Sequence, residues 1–146
     1  MRVVIQRVKE AQVKVDGQLK GQIAQGMLIF LGVAHNDSKA CADYLVNKIT
    51  ELRIFEDAQG KMNVSAREVG AQYLVVSQFT LYGNCDKGRR PSFDGAAHPA
   101  KGEELYNYFV TQLKATKASV ETGQFKAMMD ISLINDGPVT FIIDSK

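Results

Sequence analysis

The chain has 146 residues, 45% hydrophobic and 23% charged, the composition of an ordinary globular domain and not of a disordered or collagen-like chain. Eighteen Lys and Arg against 16 Asp and Glu leave a formal net charge of +2, too mild for bulk electrostatics to demand a nucleic-acid partner, so any RNA contact has to come from a local patch. Cys41 and Cys85 form neither a disulfide framework nor a zinc-binding pair, and the longest apolar run, Met27 to Ala34, is too short to cross a bilayer.

The N-terminal residues Met1 to Gln6 lack the apolar core and cleavage site of a signal peptide, so the reading is a cytoplasmic protein with reduced thiols. No repeat or low-complexity linker interrupts residues 1–146, and one domain is expected. Val3 to Val8 and Gln12 to Asp16 are valine-rich and partly alternating, which predicts two strands. Asp16-Gly17 predicts a hairpin into Gln18 to Ala24. Met27 to Val33 reads as a strand covered on both faces. A helix follows, capped by Asp37 or Ser38, with Cys41, Leu45, Ile49 and Leu52 on its buried stripe.

Arg53 to Phe55 reads as a short strand before the turn Asp57-Ala58-Gln59-Gly60, and Tyr73 to Tyr82 is the densest β segment of the chain. A polar loop from Gly83 to about Ala100 leads to a second helix with Leu105, Phe109 and Leu113 on one face. Two strands, Met129 to Ile134 and Val139 to Asp144, flank Asn135-Asp136-Gly137-Pro138, which reads as a tight hairpin turn. The fold class is therefore α+β: a mainly antiparallel sheet or open β-barrel with two packed helices.

The inventory of reactive groups excludes much chemistry. No GxSxG elbow, P-loop or GxGxxG motif is present. His35 and His98 have no second metal ligand nearby in sequence and read as exposed loop residues, so no metal and no cofactor are expected. Cys41 sits on an apolar helix face. Cys85 lies in a glycine-flanked loop with no base beside it.

Three segments hold more. Lys87-Gly88-Arg89-Arg90 reads either as a solvated loop or as a phosphate contact. Ser77-Gln78-Phe79-Thr80 interrupts a hydrophobic strand with polar side chains that cost desolvation unless paired. It reads either as an outward-facing strand end or as the lining of a site with main-chain donors for an oxyanion. In Asn135-Asp136-Gly137-Pro138 the base rate for X–Pro bonds, about 5–6% cis, argues for trans.

Together these segments resemble the D-aminoacyl-tRNA deacylase family, once called D-tyrosyl-tRNA deacylase, over essentially the whole chain. The resemblance runs from Met1-Arg2-Val3-Val4-Ile5-Gln6-Arg7-Val8 through Leu52-Arg53-Ile54-Phe55 and Lys61-Met62-Asn63. It includes Gly88-Arg89-Arg90-Pro91-Ser92-Phe93 and Gly123-Gln124-Phe125. Two hexapeptides carry it: Ser77-Gln78-Phe79-Thr80-Leu81-Tyr82 and Asn135-Asp136-Gly137-Pro138-Val139-Thr140.

The resemblance implies a cytosolic homodimer that hydrolyses the ester of a D-amino acid, or of glycine mischarged on tRNA-Ala, at the acceptor end of tRNA. No DNA or membrane partner is implied. It places a cis Gly137–Pro138 pair in the neighbouring subunit's pocket, against the base rate, where it rejects L substrates. Arg7 is similar to a family arginine that fixes the Gly–Pro carbonyls. Ser77, Gln78, Phe79 and Thr80 supply the catalytic wall and Phe125 a side of the substrate pocket, while Lys87, Arg89 and Arg90 become tRNA contacts. Lys126-Ala127-Met128-Met129-Asp130 departs from the family's usual residues. Because a nucleophilic Thr80 needs an adjacent base, the reading favours the ribose 2′-OH and main-chain N–H groups as the catalytic apparatus. The alternative is a non-catalytic tRNA-binding β domain using the same basic loop.

Overall fold

The computed structural model describes residues 1–146. In chain order the elements are β1 (Arg2–Val15), β2 (Gln18–Ile23), β3 (Gly26–Gly32), α1 (Lys39–Thr50), β4 (Arg53–Glu56), β5 (Met62–Ser65), β6 (Gln72–Ser77), α2 (Pro99–Ala115), β7 (Val120–Thr122) and β8 (Asp130–Asp144). A single 3-10 turn, Phe79–Tyr82, follows β6.

Strand β1 organises the sheet. Along one edge, its first half pairs with β3 and its second half with β2; along the other edge it pairs with β8. The sequence reading split this segment into two strands. It stays whole because valines and Ile5 at alternating positions bury themselves at both ends of the strand. The pairings of β1 are antiparallel, as expected for most of the sheet, but β3–β6 and β6–β7 are parallel. Parallel neighbours need a long crossover, and α1 and α2 lie within those two connections. The sheet order β2-β1-β3-β6-β7 then curls until β2 meets β7: a Cβ placed on Gly21 would stand 2.9 Å from the Thr122 carbonyl oxygen. The result is a nearly closed, barrel-like sheet with two helices packed outside.

Strands β3 and β6 are apolar through their middles, Met27–Leu31 and Tyr73–Val76, because each faces two cores. Met27, Ile29, Leu31, Tyr73 and Val75 pack under the helices with Leu45, Ile49, Leu105, Phe109 and Leu113. The alternate residues Leu28, Leu74 and Val76 face inward with Val8, Ala11, Val13 and Ile23. Period-two alternation across a strand delivers each set to its own face.

Four further expectations are corrected. Strands β5 and β7 were not anticipated; with 4 and 3 residues they are too short to carry a pattern. The segment Tyr73 to Tyr82 is not one strand: pairing ends at Ser77 and the chain tightens into the 3-10 turn. Neither Asp37 nor Ser38 caps α1 through its side chain. Asp37 instead accepts the Ala34 N–H at 2.6 Å and ion-pairs with the Met1 ammonium, which also donates to Ser145 Oγ at 2.7 Å.

The fourth concerns Asn135 to Pro138, which is not a hairpin turn. Both flanking segments pair antiparallel with β1, so the chain continues in one direction as β8. Asn135 lies opposite Val8 and Thr140 opposite Gln6, five residue steps against two. The surplus is ejected as a bulge.

Gly32 lets the 3-10 turn lie close on β3. A Cβ there would stand 3.0 Å from Leu81 Cβ and 3.2 Å from the Gln78 carbonyl oxygen. Gly32→Ala is therefore expected to destabilise the fold by about 1–3 kcal/mol through overpacking. Urea unfolding measures this, and an unchanged midpoint would show that the turn does not bear on the strand.

Candidate active site

The end of β6 opens onto a cavity of about 780 Å³. Ser77, Gln78, Phe79 and Thr80 form one wall, and Phe125, Met129 and Ile131 face them. Leu31 and Val33 at the end of β3 line it, as does the α2 N-terminus, through His98, Pro99 and Gly102. The four expected residues at the β6 end and Phe125 are thus brought together, although Phe125 lies far from them in the chain.

The change from strand to 3-10 turn creates the site's most reactive feature. The Gln78 N–H donates to the Leu31 carbonyl at 2.8 Å, the last rung on β3. Leu81 N–H donates back to Gln78 and Gly83 N–H to Thr80. Between them, the N–H groups of Phe79 and Thr80 fall past the last β3–β6 rung, in the first turn of the 3-10 segment, and no loop carbonyl or side chain accepts either. Two adjacent main-chain donors at a cavity wall are the arrangement that stabilises a developing oxyanion.

The Thr80 hydroxyl is partnered by the Gln78 side-chain amide. An amide carries no basic lone pair in either orientation, so it cannot take a proton from that hydroxyl. His98 is exposed on the loop before α2, as its sequence context predicts, and also lines the cavity, but no hydrogen bond joins it to Thr80. Nothing in the protein bonded to Thr80 therefore makes it a nucleophile.

Phe125 is held from behind. Its ring lies 5.9 Å from that of Tyr106, whose buried hydroxyl donates to the Val75 carbonyl at 2.8 Å. Burial pushes the Tyr106 hydroxyl up from its ordinary value, so it remains a neutral donor. At the mouth, Phe79 is 55% exposed and meets Phe93 edge-on with ring centroids 5.0 Å apart. His35, His98 and Lys126 also line the cavity, and no carboxylate does. That balance suits an anionic ligand.

His35, Phe93, His98 and Gly102 are the residues that sequence reading missed as site components. His35, Phe93 and His98 lie in loops and carry no periodic signal, Gly102 has no side chain to mark a face of α2, and only tertiary packing brings them to the cavity. His35 is fixed by its ring nitrogen at the Asp94 carbonyl and by Lys101, which donates to the His35 carbonyl.

The remaining expected residues lie elsewhere. Lys87, Arg89 and Arg90 are exposed on the loop that leads to Phe93. Gly137 and Pro138 are exposed on the bulge of β8 and do not line this chain's cavity. Their peptide bond is cis, and Gly137 has φ +149, which favours glycine. Arg7 is 4% exposed and binds the bulge one residue earlier than expected: its Nε donates to the Asp136 carbonyl at 2.9 Å. Its Nη1 donates to the Ile54 carbonyl at 2.6 Å.

Residues 4–144 match the family D-Tyr-tRNA(Tyr) deacylase. The chain is 58% identical over 146 residues to the D-aminoacyl-tRNA deacylase of Desulfatibacillum aliphaticivorans, covering 100% of both. It is 54% identical to that of Koribacter versatilis, covering 100% of this chain and 98% of the relative. Among solved structures it is similar to the c-Myc DNA Unwinding Element Binding Protein, at 37% identity and TM-score 0.94, covering 100% of this chain and 99% of that one. A probable eukaryotic D-amino acid tRNA deacylase shares the fold at 17% identity and TM-score 0.84, with 98% of each chain covered.

Gly102 offers a clean test of the cavity. A Cβ there would meet only Phe125 Cζ, at 3.7 Å. Gly102→Ala is expected to stabilise the protein by about 0.5–1 kcal/mol, the helix-interior gain over glycine. Gly102→Leu should keep the fold but fill the space beside Phe125 and abolish deacylation. Thermal unfolding and turnover of aminoacyl-tRNA measure the two, and an active Gly102→Leu protein would remove this cavity from the reaction.

Proposed function

The chain belongs to the D-Tyr-tRNA(Tyr) deacylase family, and on that premise we propose that it hydrolyses the ester between a D-amino acid, or glycine mischarged on tRNA-Ala, and the terminal adenosine of tRNA. The observation that carries this reading is the pair of unpartnered N–H groups at Phe79 and Thr80 on the cavity wall.

The chemistry follows from those donors. The ester carbonyl oxygen lies against the two N–H groups, and a water molecule attacks the carbonyl carbon. Negative charge then develops on the oxygen, where one such donor is worth roughly 2.7–4 kcal/mol. The bond from the carbonyl carbon to the ribose oxygen breaks, the proton lost by water passes to that oxygen, and the amino acid leaves with tRNA. The neighbouring ribose 2′-OH orients or activates the water. This division of labour agrees with a Thr80 hydroxyl bound only to an amide.

Chiral choice is assigned to Gly137 and Pro138. D and L esters differ by exchange of a hydrogen and a side chain at one carbon, so a wall in one direction rejects one hand by contact. These residues are exposed and lie outside their own chain's cavity, which supports a homodimer in which each bulge enters the partner's cavity. Lys87, Arg89 and Arg90 lie on the loop that leads to Phe93 at the mouth, and we assign them to the acceptor-stem phosphates. With charged tRNA as substrate, the activity belongs in the cytoplasm.

Matched D-tyrosyl-, L-tyrosyl- and glycyl-tRNA test the proposal at equal enzyme concentration. The expected result is cleavage of the D ester and of glycyl-tRNA, with the L ester intact. Glycine presents hydrogen in both directions and gives a wall nothing to strike. Glycyl-tRNA that resists high enzyme would mean that the cavity reads a D side chain positively, and the steric wall would be abandoned.

A further inference from the structure

The bulge of β8 lacks a ladder to hold it. Asp136 to Val139 have no partner on β1, whereas Asn135 and Thr140 on either side do. An unpaired segment needs other bonds if it is to keep a fixed height above the sheet. Two side chains supply them, one at each end.

At the entry, Arg7 donates to the Asp136 carbonyl and is itself seated on the β4–β5 hairpin through the Ile54 carbonyl, with Glu56 at 3.6 Å. At the exit, Asn135 spans the bulge. Its Oδ1 accepts the Val139 N–H at 2.8 Å, and its Nδ2 donates to Thr140 Oγ1 at 3.1 Å. The Thr140 hydroxyl also accepts from Gln6 Nε2 at 3.2 Å, which ties this strut back to β1. The two residues between, Gly137 and Pro138, are the exposed part of the bulge.

We propose that Asn135 is a positioning residue for chiral discrimination, its amide bridging Val139 and Thr140 and so setting how far Gly137 and Pro138 stand out from β1. The inference rests on the reading that those two residues reject L esters. Asn135 does not line the cavity. Its effect passes through the bulge, so it alters which hand is cleaved and leaves the oxyanion donors untouched. A residue with a merely structural role would instead lower the rates for D and L esters together.

Single-turnover deacylation of D-tyrosyl-, L-tyrosyl- and glycyl-tRNA separates the cases. Asn135→Ala is expected to lower the D-to-L rate ratio by about tenfold, the scale of losing one to two hydrogen bonds, mostly by raising the L rate. The glycyl rate, blind to the wall, serves as internal reference. Thr140→Val, at an exposed site, removes the Asn135–Thr140 bond and the Gln6 tie but leaves the Val139–Asn135 bond, and should lower the ratio by roughly threefold; it decides the matter alone if Asn135→Ala does not fold. A ratio held within about twofold, or a parallel loss of both rates, overturns the inference. Pro138→Ala distinguishes the premise. If it lowers the ratio while the strut variants do not, only the role of Asn135 fails; if it leaves the ratio intact, the steric wall fails and this inference with it.

Discussion

A single main-chain hydrogen bond, from Gln78 N–H to the Leu31 carbonyl at 2.8 Å, closes the ladder between β3 and β6. Everything reactive in the site begins at the next residue. A strand that continued would satisfy the following N–H groups against β3, and there would be no donors to offer a substrate. A strand that ended in solvent would satisfy them with water. Here the strand is clamped between β3 and β7, buried on both faces, and then turned abruptly. The turn packs on Gly32, so the donors are held by the core and not by a mobile loop. Preorganised dipoles of this kind cost no rearrangement when charge develops.

That constraint explains why so few reactive side chains are needed. The cavity has no carboxylate and no bonded nucleophile–base pair, but it has shape, the Lys126 cation at its edge and an aromatic floor braced by Tyr106. Binding and orientation of a bound ester can supply a large share of a barrier. The division of the machine between two places also follows from the fold. The donors proposed for the oxyanion sit at the end of β6, while the bulge proposed for chiral choice sits on β8, across β1 from β3. Chemistry and handedness can therefore be altered separately.

Much of this was legible in the residues. The apolar run Met27 to Val33, the helix stripes at Leu45 and Ile49 and at Leu105, Phe109 and Leu113, and the Asp16-Gly17 hairpin all report local periodicity, and local periodicity survives into the structure. The polar residues Ser77 to Thr80 stood out because they break an apolar strand, and they line the cavity. What was illegible is nonlocal. Asn135 to Pro138 has the composition of a hairpin turn, and only its shared pairing with β1 shows a bulge in a continuing strand. Asp37 has the position of a helix cap, yet the Met1 ammonium claims it from the other end of the chain's first strand. His98 reaches the cavity because α2 begins there.

The central claim is that main-chain donors and the substrate's own hydroxyl carry the reaction, with no side-chain nucleophile. Single-turnover deacylation of D-tyrosyl-tRNA by Thr80→Ala tests it most directly, because alanine removes the hydroxyl and keeps the N–H. The account predicts a rate within about tenfold of the parent protein. A loss approaching the roughly 10⁶-fold seen when a true nucleophile is removed would contradict it.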